Sequence, residues 1–453
     1  MSFCRTSKTK KEEGMKKTLV IMLALFLAIP AISYAGAVNS RWDMSIGGNI
    51  KFDVGWTDQS GGMSSALWAA GNPDRNPTAG NAQVYDKYGT QMWGAGETGL
   101  NFFVKGPDAW GAHTHAFILA DFTGVWGSAQ GQPPTNYNTF NLLIAEMAFD
   151  WENTTLAMGT NSSFFGMVPT FANSASWNFA GYGGKGAAPV APQITVVERF
   201  TKNWNAGLGV MSPYNQVNEL VSPAGNSSPT ADIFRNPLPA FEGKIAYTSD
   251  SCGKVGPWQL LAEMDGFYGQ IRHIYGSTGI GGDISKKDVD EWFVDFKLLV
   301  PVIPEKNGNK ASALYFDGEI FWEQGAGQGG SWLANGGTPW LTDDYQRATT
   351  GDFHAATAWG VVGHGQFYFT DAVSFNAFYL YTTVDASQAL KLMNPMDIKS
   401  GYQWAANLMY DVNPAVRFTL EWDYSNLNYA AAATGFKSNG SQNVYRLAAY
   451  YFF

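Results

Sequence analysis

Few side chains in this sequence are typed and spaced for chemistry. His113 and His115 lie two apart near Asp121, which on an extended strand puts the imidazoles on one face, and two imidazoles so placed could begin a metal site. No third ligand follows at a fixed spacing, so they read as polar wall residues and no metal is expected. The histidines at 113, 115, 273, 354 and 364 belong to no distinctive Ser-His-acid pattern, and no Gly-rich phosphate loop stands between a strand and a helix. Neither an enzyme nor a cofactor is expected. What remains is charge. Glu263, Asp265, Glu291, Asp295, Asp317, Glu319 and Glu323 crowd onto three consecutive stretches in which Lys297 is the one base on the same face. Such a field concentrates cations and repels anions, most strongly at low salt.

The elements that position these groups must be unusual, because the composition is. Hydrophobic residues make up 45% of the 453, charged residues only 15%, and glycine occurs 51 times; an average soluble domain is about 25% charged. After residue 35 no apolar run approaches the roughly 18 residues of a spanning helix. The apolar content is instead dispersed one residue at a time. Residues 1–35 read as an address: Met15-Lys16-Lys17 opens a basic region and is the better start, Leu19 to Ile32 is apolar, and Ser33-Tyr34-Ala35 suits signal-peptide cleavage before Gly36. The formal charge of −9 becomes more negative once the leader, with Lys8, Lys10, Lys11, Lys16 and Lys17, is removed. That sign argues against nucleic acid, whose binding rests on neutralising phosphates. Cys252 would stand alone in the mature chain, so no internal disulfide is expected.

Within residues 36–453, read as one domain, strict alternation begins at once. Ile46, Ile50, Phe52 and Trp56 share one parity and Lys51 and Asp53 the other. Similar runs follow near 93–105, 110–126, 139–151, 154–160, 194–201, 204–211, 240–249, 257–271, 289–301, 311–324, 353–369, 373–384, 400–411, 415–425 and 443–453. Their connections alternate between short turns, such as 152–153 and 202–203, and long Gly/Ser/Asn/Pro-rich loops, such as 58–92, 161–193 and 325–352. A soluble sandwich would need a dry face on every strand and short loops at both ends. Acids on the second face and long loops at one end predict an all-β, antiparallel, up-and-down transmembrane barrel of about sixteen strands, with long extracellular loops and short periplasmic turns.

The last run, Tyr445, Leu447, Ala449, Tyr451 and Phe453, alternates to a terminal Phe. With the leader, strand number and loop asymmetry, it resembles the general porins of Gram-negative outer membranes. The resemblance implies an outer-membrane location, contact with lipid and lipopolysaccharide, delivery by the barrel assembly machinery through Phe453, homotrimers, and passive diffusion of ions and small hydrophilic solutes. The charge of the inner face adds a preference for cations. The expected pore wall includes Asp53, Asp121, Glu146, Glu263, Asp265, Glu291, Asp295, Asp317, Glu319 and Arg417, with the histidine pair near the periplasmic rim. In the resembled family the loop after the fifth strand narrows the barrel and carries acids. Here that segment, 161–193, holds Phe164, Phe165, Phe171 and Trp177, and its one charge is Lys185. Its aromatics would either stack against flat or sugar-like solutes or pack the loop onto the wall. A substrate-selective channel for sugars or aromatic solutes and a barrel scaffolding a partner protein are the alternative functions.

Overall fold

The computed structural model describes residues 43–58, 90–122, 140–165, 173–175, 190–212, 233–235, 238–276, 284–324, 357–385, 398–429 and 439–453. Residues 1–35, expected to be a leader, and Phe171, Trp177 and Lys185 lie outside the described residues. Among those described, no helix is long and apolar enough to cross a membrane, which says nothing of strands.

All elements are antiparallel β. In chain order they are β1 (Asp43–Thr57), β2 (Thr90–Gly94), β3 (Gly99–Lys105), β4 (His113–Asp121), β5 (Asn141–Asp150), β6 (Thr154–Ser162), β7 (Val190–Arg199), β8 (Trp204–Met211) and β9 (Ile233–Arg235). There follow β10 (Ala240–Val255), β11 (Trp258–Gly276), β12 (Ile284–Ile303), β13 (Leu314–Gln324), β14 (Thr357–Tyr368), β15 (Val373–Asp385), β16 (Ile398–Asn413), β17 (Val416–Tyr429) and β18 (Asn439–Phe452). Two staves are interrupted. β2 and β3 both pair with β1, and β9 and β10 both pair with β11, so the 18 segments form a closed barrel of 16 strands. Closure is made by β1 against β18, from Asn49 opposite Phe452 to Thr57 opposite Val444, and Gly48 and Phe453 exchange both backbone hydrogen bonds at 3.1 Å.

Period-two alternation decides which side faces out. On β1, Ile46, Ile50, Phe52 and Trp56 are exposed whereas Lys51, Asp53 and Thr57 are buried inside. Rows of outward aromatics cross the staves, with Trp56 against Tyr445 at 5.6 Å and Phe52 against Trp93 at 6.0 Å between ring centroids. Only lipid gives so continuous an apolar exterior a favourable medium.

Most strand bounds fall within a few residues of the alternating runs. Larger differences occur at β10, which continues past residue 249 to Val255, and at β11 and β12, which pair from Leu261 opposite Leu299 out to Gly276 opposite Ile284, well into the expected loop at 272–288. Ladder hydrogen bonds extend a hairpin past the height where lipid demands apolar residues, and there alternation no longer reports it. β9, Ile233–Arg235, falls in an expected loop because three residues are too few to show a period of two.

Close strand contact sets one strict local demand. Gly159, on β6, has a φ of +141°, and a Cβ there would lie 2.2 Å from the carbonyl oxygen of Ala145 on β5. Gly159→Val is expected to destabilise the barrel by about 1–3 kcal/mol. The measurement is the temperature at which the folded protein loses its compact electrophoretic mobility; an unchanged temperature would contradict this account.

Candidate functional site: the charged lumen and the loop that crosses it

The enclosed face carries the charges, and the first contribution to the site is a loop. β6 ends at Ser162, and the chain then turns inward rather than outward. Ser162 O accepts from Gln193 Nε2 on β7 at 2.9 Å, Phe164 N donates to Glu242 Oε2 on β10 at 2.8 Å, and Phe164 O accepts from Lys297 Nζ on β12 at 2.9 Å. The inner face of β8 makes room for it. A Cβ on Gly207 would come within 2.8 Å of the Phe164 ring. Phe165 is buried against Phe267 and Phe293, each ring 5.1 Å away, and Phe293 continues the stack to Phe321 at 5.9 Å.

The same loop reaches the opposite wall. Asn173 donates to Tyr315 Oη on β13 and to Gln366 Oε1 on β14, and its carbonyl accepts from Asn407 Nδ2 on β16 at 2.7 Å. Ala175 N donates to Glu421 Oε2 on β17 at 2.7 Å, while Ala175 O accepts from Lys51 Nζ on β1 and from Tyr450 Oη on β18 at 3.3 Å. A backbone segment brought into an enclosed space must find partners for its polar groups. Here the wall supplies them.

Around these anchors the inner charges form compact groups. Lys297 Nζ lies 2.7 Å from Asp265 Oδ2, 3.2 Å from Glu263 Oε1 and 3.6 Å from Asp295 Oδ2. Strand register explains the grouping, since Glu263 stands opposite Lys297, Asp265 opposite Asp295, and Lys297 opposite Glu319. At the seam, Lys51 pairs with Glu97 and lies 3.1 Å from Asp53; Glu97 sits in the gap between β2 and β3. On β18, Arg446 lies 3.3 Å from Asp423 and 3.9 Å from Glu421. Nearer the periplasmic rim, Arg417 holds Asp411 through two hydrogen bonds.

The sequence-derived wall residues therefore fall into two environments. Asp53, Asp121, Asp265, Glu291, Asp295, Asp317 and Glu319 point inward but are buried. Asp295, at 1% exposed, is typical. Glu146, Glu263 and Arg417 point inward and keep part of their surface open. The aromatic pair divides similarly: Phe165 spends its ring on packing, and Phe164 lies against the wall under Lys244, whose Nζ is 4.8 Å from the ring centroid. His113 is exposed and pairs with Asp108 at 2.8 Å, while His115 pairs with Asp150 at 2.9 Å, two separate pairs instead of one site. Among the described residues no group of three or more His, Cys, Asp or Glu is placed to hold a metal ion.

Sequence reasoning missed Tyr315, Gln366, Asn407 and Asn173, which anchor the loop. A single amide or phenol on a polar strand face carries no signal of its partner. It also passed over His364, which is buried between Asp317 at 3.3 Å and Asn376 at 3.0 Å and stacks on Phe378.

A closed antiparallel 16-strand barrel has solved counterparts. The outer membrane channel DcaP of Acinetobacter baumannii is 14% identical, superposes with a TM-score of 0.66, and matches across 91% of this chain and 97% of its own. The chain has the porin fold. An anion-selective porin from Comamonas acidovorans (10% identity, TM-score 0.47, covering 91% and 100%) and OmpF of Salmonella typhi (13%, 0.45, covering 90% and 97%) are more distant. No family model and no curated protein sequence matches the chain. Within this porin fold, the feature worth measuring is how deeply the charge is buried.

Burying a carboxylate is costly unless a cation shares its site. Lys297→Met would strip Asp265, Asp295 and Glu263 of their shared cation and Phe164 O of its donor. The expected loss is about 3–5 kcal/mol, read as a lower urea midpoint for the barrel in detergent. Adding Asp265→Asn to the same chain should recover part of it; equal stability of Lys297→Met and the parent would refute the assignment.

Proposed function

We propose that the protein is an outer-membrane porin: a diffusion channel for ions and small hydrophilic solutes that prefers cations, exported through the periplasm and assembled as a homotrimer. The observation that carries this reading is the closed barrel itself, apolar where it faces outward and charged where it faces inward. A water-filled passage across lipid needs such a polar wall. The homotrimer, the lipopolysaccharide contact and the assembly machinery enter from the resemblance to general porins. The cation preference is supported by the excess of carboxylates over bases on the inner face. Buried carboxylates paired with Lys297, Lys51 or Arg446 contribute a reduced field, so the preference is expected to be moderate.

A selective channel that stacks sugars or aromatic solutes finds less support, because the Phe165 ring is already covered by Phe267 and Phe293. A scaffold for a partner protein is separated by conductance. Purified protein in planar bilayers is expected to give stable ohmic channels with a reversal potential on the cation side in a KCl gradient. That preference should weaken as salt rises, since the screening length is about 10 Å at 0.1 M and shorter above it. Absence of channels would refute the porin reading, and an anion-selective channel would refute the charge assignment.

Assembly is proposed to depend on Phe453. Its backbone closes the seam with Gly48 and its ring ends the outward row of β18. Deleting Phe453 should lower the amount of folded protein in the outer membrane while export to the periplasm continues; unchanged outer-membrane levels would remove this role.

A further inference from the structure

The inner wall is not equally open all round. The loop touches β1, β8, β10 to β14 and β16 to β18, and most inward side chains on β10 to β18 are sealed: Asn376 is 0% exposed, Gln403 1%, and Asn407 and Arg446 2% each, while Glu263 and, close to the short-turn end, the Arg417–Asp411 pair keep part of their surface open. On β4 to β6, Asp121 and Ala148 are buried but the remaining polar inward side chains retain contact with solvent. His115 is 22% and Asp150 34% exposed, and Glu146, Thr155 and Asn161 are each part-exposed. These groups are also held in place. Asn161 Nδ2 donates to Glu146, Thr155 Oγ1 donates to Asp150 Oδ1 at 2.7 Å, and His115 pairs with the other oxygen of Asp150. Strand order sets Asp150 and His115 close to the short-turn end and Glu146 further in, so the three mark a line along the barrel.

We infer that solutes pass along one side of the barrel, against β4 to β6, and that Glu146 and Asp150, rather than the larger acid set on β11 to β13, select what passes. The inference rests on the porin reading and deepens it. A charge in contact with the passage acts on a solute at a few ångströms, whereas Asp265 and Asp295 share the Lys297 cation and are buried. Two ordered carboxylates with part of their surface open, one of them partnered by an imidazole, offer hydrogen-bond acceptors to hydrated monovalent cations and to small organic ammonium ions. Small anions meet the same groups as repulsion.

The test is cysteine accessibility during bilayer recording, in a Cys252→Ser background and with folding checked by heat-shifted mobility. A cationic methanethiosulfonate reagent is expected to cause stepwise loss of current in Asn161→Cys and Thr155→Cys, and none in Asn376→Cys or Gln403→Cys. Glu146→Gln and Asp150→Asn should each move the reversal potential toward zero. Block at Asn376→Cys or Gln403→Cys but not at the β6 positions, or equal block at all four, would overturn the one-sided route while leaving the porin reading intact. Folded protein that conducts in no variant and not in the parent would overturn the porin reading and the route together.

Discussion

A chain that crosses lipid as strands has no water with which to satisfy an unpaired strand edge, so its first strand must find its last. Every other feature of this barrel depends on that pairing. β1 meets β18 over nine residue pairs, from Asn49 with Phe452 to Thr57 with Val444. With the ladder closed, alternation has only two destinations. One parity meets lipid and carries Ile50, Phe52, Leu447 and Tyr451; the other is enclosed and carries Lys51, Asp53 and Arg446. Two interrupted staves are tolerated because their fragments still pair with the same neighbour. One of the interruptions is used, since it carries Glu97 to Lys51.

Closure creates a second problem, which the loop after β6 answers. An enclosed polar wall that is not wet must satisfy its groups internally. The loop brings backbone donors and acceptors to Glu242, Lys297, Glu421, Lys51 and Asn407, and so ties two distant parts of the wall together. Aromatic packing through Phe165, Phe267, Phe293 and Phe321 then makes part of the interior resemble the core of a soluble protein. On the proposed route stability and permeation are divided: the side of the lumen anchored by the loop carries the cross-barrel hydrogen bonds, and the side along β4 to β6 is left for solutes.

The outer architecture was legible in the sequence because lipid imposes a simple rule on each strand separately. Sixteen runs, their parity and the asymmetry of their connections could be read from residues a few positions apart, and Ile46 to Trp56 shows the rule by itself. Where the rule lapses the reading lapsed too, as in the ends of β11 and β12 between Arg272 and Asp288, where pairing continues beyond the alternating runs, and in β9, which is too short to alternate.

The sequence by itself determined the fold class, the inward parity of Asp53, Glu146, Asp265, Asp295 and Lys297, and their excess of negative charge, because each follows from local alternation. Only the tertiary structure decided which of these charges meet water. That outcome depends on Ser162 to Ala175 reaching Tyr315, Asn407, Glu421 and Lys51, contacts between residues more than a hundred positions apart, and on the register that sets Glu263, Asp265 and Asp295 about one lysine. Burial is a property of what lies across the lumen, and a strand's own sequence holds no record of its opposite wall.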